Sequence, residues 1–370
     1  MTSPQRLPAS LTSLDAALAA LLDGIEPVTP VELAIADALH GIAAEMPPLP
    51  ACPPRDIAAA DGYAFRAHDL VGASSYSPVP LSAAPRWVEA GEAMPASWDC
   101  VLDSDSVDLS GPIAQVLAEA TPGQGVRRAG SDVAAGSIVV EPGRNVTVRH
   151  LTVVRAAGLE RVNVRRPRMR VVNLPGDSVT AELIVGSARG TGVDVDFVTA
   201  ANRDAGSIGA ALSAIDCDLL LTVGGSGVGH SDAAVLALAA HGHVFAHGIA
   251  LQPGRTTAVG RIGKTPVVVL PGAPDQALAA WWTLVLPVID RLSGRRPRGT
   301  VTLPLARKIA SQVGIAEIVL LQRNQDMWTM LAVGDLSLEA IARAEAFLVI
   351  PGGSEGFAAG SFVDAYMLRE

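Results

Sequence analysis

Apolar positions recur along this chain with two different periods, and each change of period marks a change of architecture. Leu14 to Leu22 is rich in Ala and Leu, follows the cap candidates Thr12 and Ser13, and stops at Gly24, which predicts a short helix. A second helix start is predicted at Thr29. Pro30 would occupy the first helical position, Glu32 would close a capping box, and Val31, Leu33, Ala34, Ala38 and Leu39 lie near helical spacing. From Met46 the texture changes, because Pro47, Pro48, Pro50, Pro53 and Pro54 forbid a continuing helix. Residues from about 55 to 145 form short β-like runs broken by Gly and Pro, such as Ser137 to Val140 ahead of Pro142-Gly143, and predict a small all-β insert.

Near Arg165 the pattern switches again. Strands are predicted at Arg168 to Leu174, Val193 to Thr199, Asp218 to Val223 and Thr265 to Leu270. Between and after them lie helical runs: one through Ser187, one over Asp204 to Ile215, one capped by Ser231 and running to Ala240, and one over Asp275 to Leu292. Strand and helix alternating at this interval imply a parallel sheet covered on both faces. The tail from about Arg298 reads as strands and turns, and thus as a small β domain. The expected division is an elongated helical or linker domain from 1–46 and 146–166, a β-rich insert at 47–145, an α/β domain at 167–297 and a C-terminal β domain at 298–370.

Composition narrows the classes of function. Apolar residues make up 49% of the 370 and charged residues 18%, which requires a packed core and excludes a disordered chain. The net charge of −9 argues against sequence-independent binding to nucleic-acid phosphates. No stretch has the uninterrupted apolar length of a membrane span, and Met1 to Ser10 lacks the apolar segment of a secretory signal. Cys52, Cys100 and Cys217 are odd in number and widely spaced, fitting neither a disulfide framework nor a zinc site. The expectation is a soluble, multidomain, cytoplasmic protein with no nucleic-acid or membrane partner.

In open parallel sheets, ligands bind at the carboxyl ends of the strands. Three loops are predicted there: Pro175-Gly176-Asp177, the run Gly224-Gly225-Ser226-Gly227-Val228-Gly229-His230-Ser231-Asp232, and Pro271-Gly272-Ala273-Pro274-Asp275. The four glycines of the middle loop let backbone approach a ligand closely and turn amides inward, and a helix is expected directly after it. That arrangement cradles phosphate, although a tight structural turn would look the same. Asp177 and Asp232 beside such a cradle would repel an anion unless a cation such as Mg²⁺ lay between. Otherwise Asp232 complements a helix N-terminus and Asp177 is a turn residue. Arg255, after Gln252-Pro253-Gly254, is a candidate for holding an oxyanion or a plain surface arginine.

Weaker patterns stand beside these. Gly263-Lys264-Thr265 has Ala258 where a P-loop needs its first glycine, and a strand follows it. His230, His241, His243 and His247 fall close together, with His241 and His243 expected on one strand face, but they lack Cys or Glu partners for zinc or copper. Gly352-Gly353-Ser354-Glu355-Gly356 fits G-x-S-x-G by letter only, since no strand–turn–helix context surrounds it.

Several ordered motifs together resemble the molybdopterin molybdenumtransferase family of molybdenum-cofactor biosynthesis, from about residue 12 to the C-terminus. Ala60-Asp61-Gly62-Tyr63-Ala64 is similar to the family's signature turn, and Gly91 through Met94-Pro95 to Asp99 and Val101 follows a second stretch. Arg127-Arg128-Ala129-Gly130-Ser131-Asp132 with Ala135-Gly136 resembles a third. The Gly224–Asp232 loop, Pro253-Gly254-Arg255, Leu270-Pro271-Gly272-Ala273-Pro274 and Leu286-Pro287 through Leu292-Ser293-Gly294 complete the set. The resemblance implies an α/β multidomain protein with a parallel-sheet molybdopterin-binding domain, an all-β insert and a C-terminal small β-barrel. It implies an elongated homodimer in which the insert of one subunit faces the pterin domain of the other. The implied reaction joins molybdate to adenylylated molybdopterin with Mg²⁺ and releases AMP. Carried over, Asp61, Asp132, Asp218 and Asp232 would be catalytic. Gly224, Gly225, Ser226, Gly227, Gly229, Arg255, Pro271, Gly272 and Pro274 would bind the pterin substrate, with Asp177 and Asp232 at the metal.

The chain also departs from the family pattern. The family's S-T-G-D-E stands here as Leu174-Pro175-Gly176-Asp177-Ser178, so a carboxylate is replaced by a hydroxyl that cannot carry its charge. Gln252 replaces a lysine, Arg255 a second lysine, Gly227 the loop serine and Ala90 a threonine. These changes keep a competing reading open: a catalytically impaired protein that binds or delivers molybdopterin or its cofactor. A third reading, adenylyl transfer to molybdopterin on the same α/β fold, is disfavoured by the insert and the β tail.

Overall fold

The computed structural model describes residues 5–213 and 216–368. β1 (Thr12–Ser13) leads into α1 (Leu14–Leu22), where the Ser13 hydroxyl accepts a hydrogen bond from the Ala16 amide at 3.3 Å as an N-cap. Although expected within the elongated unit, α1 buries Ala17 and Leu21 in the same apolar core as Met169, Ile184 and Ile289 of the α/β unit. The helix expected from Thr29 does not form. β2 (Val31–Ala34) and a 3-10 turn at Ile35–Asp37 stand there instead. Residues Val31–Ala34 ladder antiparallel onto Arg161–Val164, and the Arg161 guanidinium holds Glu32 at 2.9 Å. A local capping signature has lost to a long-range strand partner. β3 (Ile42–Ala43) joins the other side of the same ladder.

The insert is a set of small sheets, in keeping with its broken pattern. β4 (Ile57–Ala58) pairs with the distant Val126–Arg127, and β5 (Gly62–Phe65) lies between strands at Arg86–Val88 and Cys100–Leu102. β6 (Val79–Pro80), β7 (Arg86–Val88), β8 (Cys100–Leu102), β9 (Val107–Asp108), β10 (Gln115–Val116) and β11 (Val126–Arg127) complete it. Ser137 to Val140 is bend and coil instead of the expected strand. Val140 there is drawn into an apolar cluster with Ile35, Ala43 and Val162. α2 (Val148–Ala156) adds Val154 to that cluster, and β12 (Arg161–Arg165) is the central strand of the sheet that carries β2 and β3.

The α/β unit follows the expected alternation: β13 (Arg168–Asn173), α3 (Val179–Gly190), β14 (Asp194–Thr199), α4 (Ala205–Ser213), β15 (Leu219–Val223) and α5 (Ala234–His241). The last residues of the predicted helix over Asp204 to Ile215, Ala214 and Ile215, lie outside the described residues. β16 (His243–His247), β17 (Ile249–Gln252), β18 (Ala258–Ile262) and β19 (Thr265–Leu270) come next. A continuous helical run then passes from α6 (Pro274–Ala280) through a π turn at Trp281–Val285 into α7 (Leu286–Ser293).

The sheet order is β14-β13-β15-β19-β18-β16. Its first four strands are parallel, but β18 and β16 extend it antiparallel, so the sheet is mixed where a wholly parallel one was expected. The central strands read as apolar runs because both faces are covered. Val171, Leu221 and Val268 face α1, α3, α6 and α7, while Val172, Leu220 and Val267 face α4 and α5.

The tail contains β20 (Thr300–Pro304), β21 (Ile309–Ala310), β22 (Ala316–Asn324), β23 (Met327–Val333), α8 (Leu338–Arg343), β24 (Ala346–Ile350), β25 (Gly356–Phe357) and β26 (Phe362–Met367). Its main sheet runs β1-β17-β22-β24-β26-β20, with β23 on the side of β22. The parallel β17–β22 pairing therefore stitches the tail to the α/β unit across the expected boundary at 297. Among the described residues, no helix is long and apolar enough to cross a membrane.

Because Leu21 is fully buried, Leu21→Ala should lower stability by about 2–5 kcal/mol in denaturant unfolding; a loss below about 0.5 kcal/mol would mean that α1 does not dock on the α/β core. Burial pushes the Cys100 thiol up to about 11, whereas Cys52 is only partly covered. Iodoacetamide at pH 8 should therefore label Cys52 in the folded protein and leave Cys100 untouched until it is unfolded.

Candidate functional site

Registers in the parallel ladders bring three strand ends level, with Asn173 opposite Val223 and Val223 opposite Leu270. The loops leaving those ends enclose a cleft of about 440 Å³. Its walls include Asn173, Leu174, Asp177 and Thr180 from the first loop and helix, Gly224, Gly225, Ser226, Gly227 and Asp232 from the second, and Pro271, Gly272, Ala273 and Gln276 from the third.

In the first loop the Asp177 Oδ1 accepts from the Val179 amide at 3.0 Å, closing the turn that starts α3. The Ser178 hydroxyl donates to the Glu182 carboxylate at 2.7 Å, so a carboxylate does stand in the first turn of α3, one turn beyond the position where the family carries one. Thr180 ties the first loop to the third by donating to the Gly272 carbonyl at 2.6 Å.

The middle loop needs its glycines. Gly224 and Gly225 have φ of +91° and +72°, and a Cβ on Gly225 would collide with the Leu174 side chain. A Cβ on Gly227 would lie 2.6 Å from the Asp232 Oδ2. That oxygen accepts from the Gly229 amide at 2.9 Å, which folds the loop back on itself. The helix behind the loop begins at Ala234, with no side-chain bond from its N-cap Ala233, so Ser231 is not its cap. Ser226 is buried, its hydroxyl 3.2 Å from that of Thr256, and its carbonyl lies 2.9 Å from the His247 Nε2.

Arg203, Asn173, Thr180, Thr256 and Gln276 line the cleft and had not been singled out in the sequence; the first two stand out. Arg203, in the loop after β14, donates to the Pro175 carbonyl at 2.9 Å and lies 3.5 Å from the Asp232 carboxylate. It thus brings a cation into a cleft that otherwise shows Asp177 and Asp232. Its signal was its position: β14 is a fourth parallel strand, and its carboxyl end opens at the same edge. Asn173, the last residue of β13, is buried and lines the cleft with an amide after two valines.

Other expected site residues stand away from this cleft. Asp218 precedes β15, and its carboxylate accepts from the Arg168 amide at 2.7 Å at the start of the neighbouring strand. It therefore sits at the amino edge of the sheet, a five-residue strand away from the cleft (roughly 17 Å). Arg255 is exposed and does not line the cleft; its neighbour Thr256 does. Gly229 and Pro274 also stand outside the lining, the first in the Asp232 turn and the second at the first position of α6. Asp61 and Asp132 are in the insert: Asp61 accepts from the Ala90 amide at 2.8 Å, and Asp132 pairs with Arg127 at 3.2 Å on an exposed face. Neither lines this cleft.

Among the described residues, no three His, Cys, Asp or Glu side chains gather as a metal site, and Asp232 is engaged by Arg203 where a metal ligand was expected. His241 ends α5 with its Nδ1 2.9 Å from the Ala237 carbonyl, so it shares no strand face with His243. Ser354 is bound within its own turn, its hydroxyl accepting from the Gly356 amide at 3.1 Å.

A mixed sheet whose glycine-lined loops enclose a cleft of small-molecule size, preceded by a β-rich insert, defines a class. Residues 177–291 match the family described as a probable molybdopterin binding domain, and residues 12–158 match the MoeA N-terminal region (domain I and II). The chain belongs to the MoeA family of molybdopterin molybdenumtransferases. It is 30% identical over 281 residues to molybdopterin molybdenumtransferase 2 of Mycobacterium tuberculosis, covering 65% of this chain and 69% of that one. It is 24% identical over 372 residues to a putative molybdopterin biosynthesis protein of Methanocaldococcus jannaschii, covering 91% and 92%. The crystal structure of a molybdopterin biosynthesis MoeA protein from Pyrococcus horikoshii superposes with a TM-score of 0.72 at 25% identity, over 98% of this chain and 100% of that one.

If Arg203 is the cleft's cation, Arg203→Gln should weaken calorimetric binding of inorganic pyrophosphate about tenfold. Unchanged affinity would remove Arg203 from the anion site.

Proposed function

We propose that this protein catalyses insertion of molybdate into adenylylated molybdopterin, yielding molybdenum cofactor and AMP. The observation that carries this reading is the cleft itself, open at the carboxyl ends of β13, β15 and β19 and lined by the glycine loop within the segment that matches the molybdopterin-binding family. Relatives named as molybdenumtransferases, one of them matched over 92% of this chain, favour this enzyme over a protein that only binds or delivers the pterin.

The chain's own groups supply positioning and electrostatics. Loop amides and Arg203 receive phosphate oxygens, while Asn173, Thr180 and Gln276 offer hydrogen-bonding partners to the polar edge of the pterin. Asp177 supplies a hard oxygen ligand, which suits a divalent cation held jointly with substrate phosphate. Mg²⁺ bound this way would neutralise phosphate charge. Asp61 and Asp132, exposed on the insert and remote from their own cleft lining, act on the cleft of a second subunit in a homodimer. In this arrangement residues 47–145 form the insert, 167–297 the pterin domain, and 298–370 a small barrel-like domain, in a cytoplasmic enzyme.

Purified protein given adenylylated molybdopterin and molybdate should release AMP, and Asp61→Ala and Asp132→Ala should each slow that release at least tenfold without changing the unfolding midpoint. Molybdate-independent release, or release unaffected in both variants, would contradict the reading.

A further inference from the structure

Gln5 is 220 residues from the glycine loop in sequence and lies against it in space. Its side chain is 5% exposed, and both ends of its amide are used. The nitrogen donates to the Gly225 carbonyl at 3.0 Å and the Gly227 carbonyl at 2.8 Å. The oxygen accepts from the amides of Val235 at 2.9 Å and Leu236 at 3.2 Å, in the first turn of α5. The segment that delivers it is itself seated: Leu7, Pro8 and Leu11 cover Gly248 so closely that a Cβ there would meet all three, and the Thr12 amide donates to the Gly248 carbonyl at 3.0 Å.

Two consequences follow from elementary stereochemistry. First-turn amides of a helix are its natural anion donors, and at α5 three are already taken, Val235 and Leu236 by Gln5 and Ala234 by the Gly225 carbonyl at 3.2 Å. An anion in the cleft is therefore received by the loop and not by that helix end. In a trans peptide the C=O and the following N–H point in opposite directions. Gln5 draws the Gly225 and Gly227 carbonyls to one side, and His247 holds the Ser226 carbonyl between them. The N–H groups of Ser226, Gly227 and Val228 are turned the other way. Among the described residues none of the three donates to a protein acceptor. Gln5 and His247 are absent from the cleft lining, whereas Ser226 and Gly227 belong to it.

We infer that Gln5 is a positioning residue for the substrate's phosphate. It clamps the glycine loop with carbonyls withdrawn and the successive Ser226 and Gly227 amides presented to the cleft as an anion-binding nest. A loop so rich in glycine would otherwise sample many backbone states and offer carbonyl oxygens to the ligand as readily as amides. The inference rests on the proposed phosphorylated-pterin substrate for its biological ligand, but the clamp is separately measurable.

The experiment compares wild type with Gln5→Leu, which removes all four bonds, and Gln5→Glu, which retains the acceptor for Val235 and Leu236 but has no donor for the two carbonyls. Binding of molybdopterin and of inorganic pyrophosphate is titrated, kcat and KM for AMP release are separated, and amide exchange is followed over residues 224–236. Both variants should bind both probes at least tenfold more weakly, with KM raised and kcat within about threefold of wild type. Exchange at Val235 and Leu236 should accelerate in Gln5→Leu and stay slow in Gln5→Glu. If Gln5→Leu does not fold, Gln5→Glu decides. Affinities within twofold of wild type in the folded variants overturn the inference. Wild type that binds pyrophosphate but not molybdopterin would overturn the substrate reading alone, and the clamp would then be judged on pyrophosphate and exchange.

Discussion

The structure turns on β15 being held between two parallel partners in matched register. Its five residues are all buried, and its end is level with those of β13 and β19. The hydrogen-bond ladders leave no slack: a one-residue slip would exchange the residues facing α1, α3 and α6 for those facing α4 and α5. It would also stagger the loops. Only because three strands end together do Asp177, the glycine loop and Gly272 meet around one cavity. The antiparallel pair β18 and β16 then brings His247 behind the loop, so the mixed edge of the sheet has a part in shaping the site.

The site is economical in charged groups. One cation, Arg203, and two carboxylates, Asp177 and Asp232, line the cleft, and Arg203 is already near Asp232. Backbone amides outnumber charged groups around the cleft, and Gly225 and Gly227 tolerate no Cβ because the Leu174 and Asp232 side chains stand against them. Ser178, at the position of the family's glutamate, holds Glu182 one helical turn further along. Gln252, in place of a lysine, works away from the cleft. Its amide donates to the Gly334 carbonyl at 3.1 Å, beside the β17–β22 seam that joins the tail.

How much could be read in advance follows from the range of the interactions. α1 and the central strands were legible because their apolar period reports burial directly: Leu14–Leu22 and Thr265–Leu270 form where the pattern places them. The glycine loop was legible as a strand end before a helix. Thr29 to Leu39 misled because its capping letters are local while its partner, Arg161–Val164, is remote. Asp218 heads the predicted strand Asp218 to Val223, so its place at the amino end was legible, and only the family resemblance suggested a role at the site. Gln5 was invisible, since a single glutamine has no pattern and its partners lie on the far side of the chain.

Docking of phosphorylated pterin on the glycine loop can be measured by equilibrium binding of molybdopterin to wild type and to Gly227→Ala, whose new methyl would displace the Asp232 carboxylate while the strands beneath remain. Wild type should bind saturably and the variant at least tenfold more weakly, with both proteins unfolding at the same midpoint. Equal affinity in the two proteins would place the pterin elsewhere and refute docking on this loop.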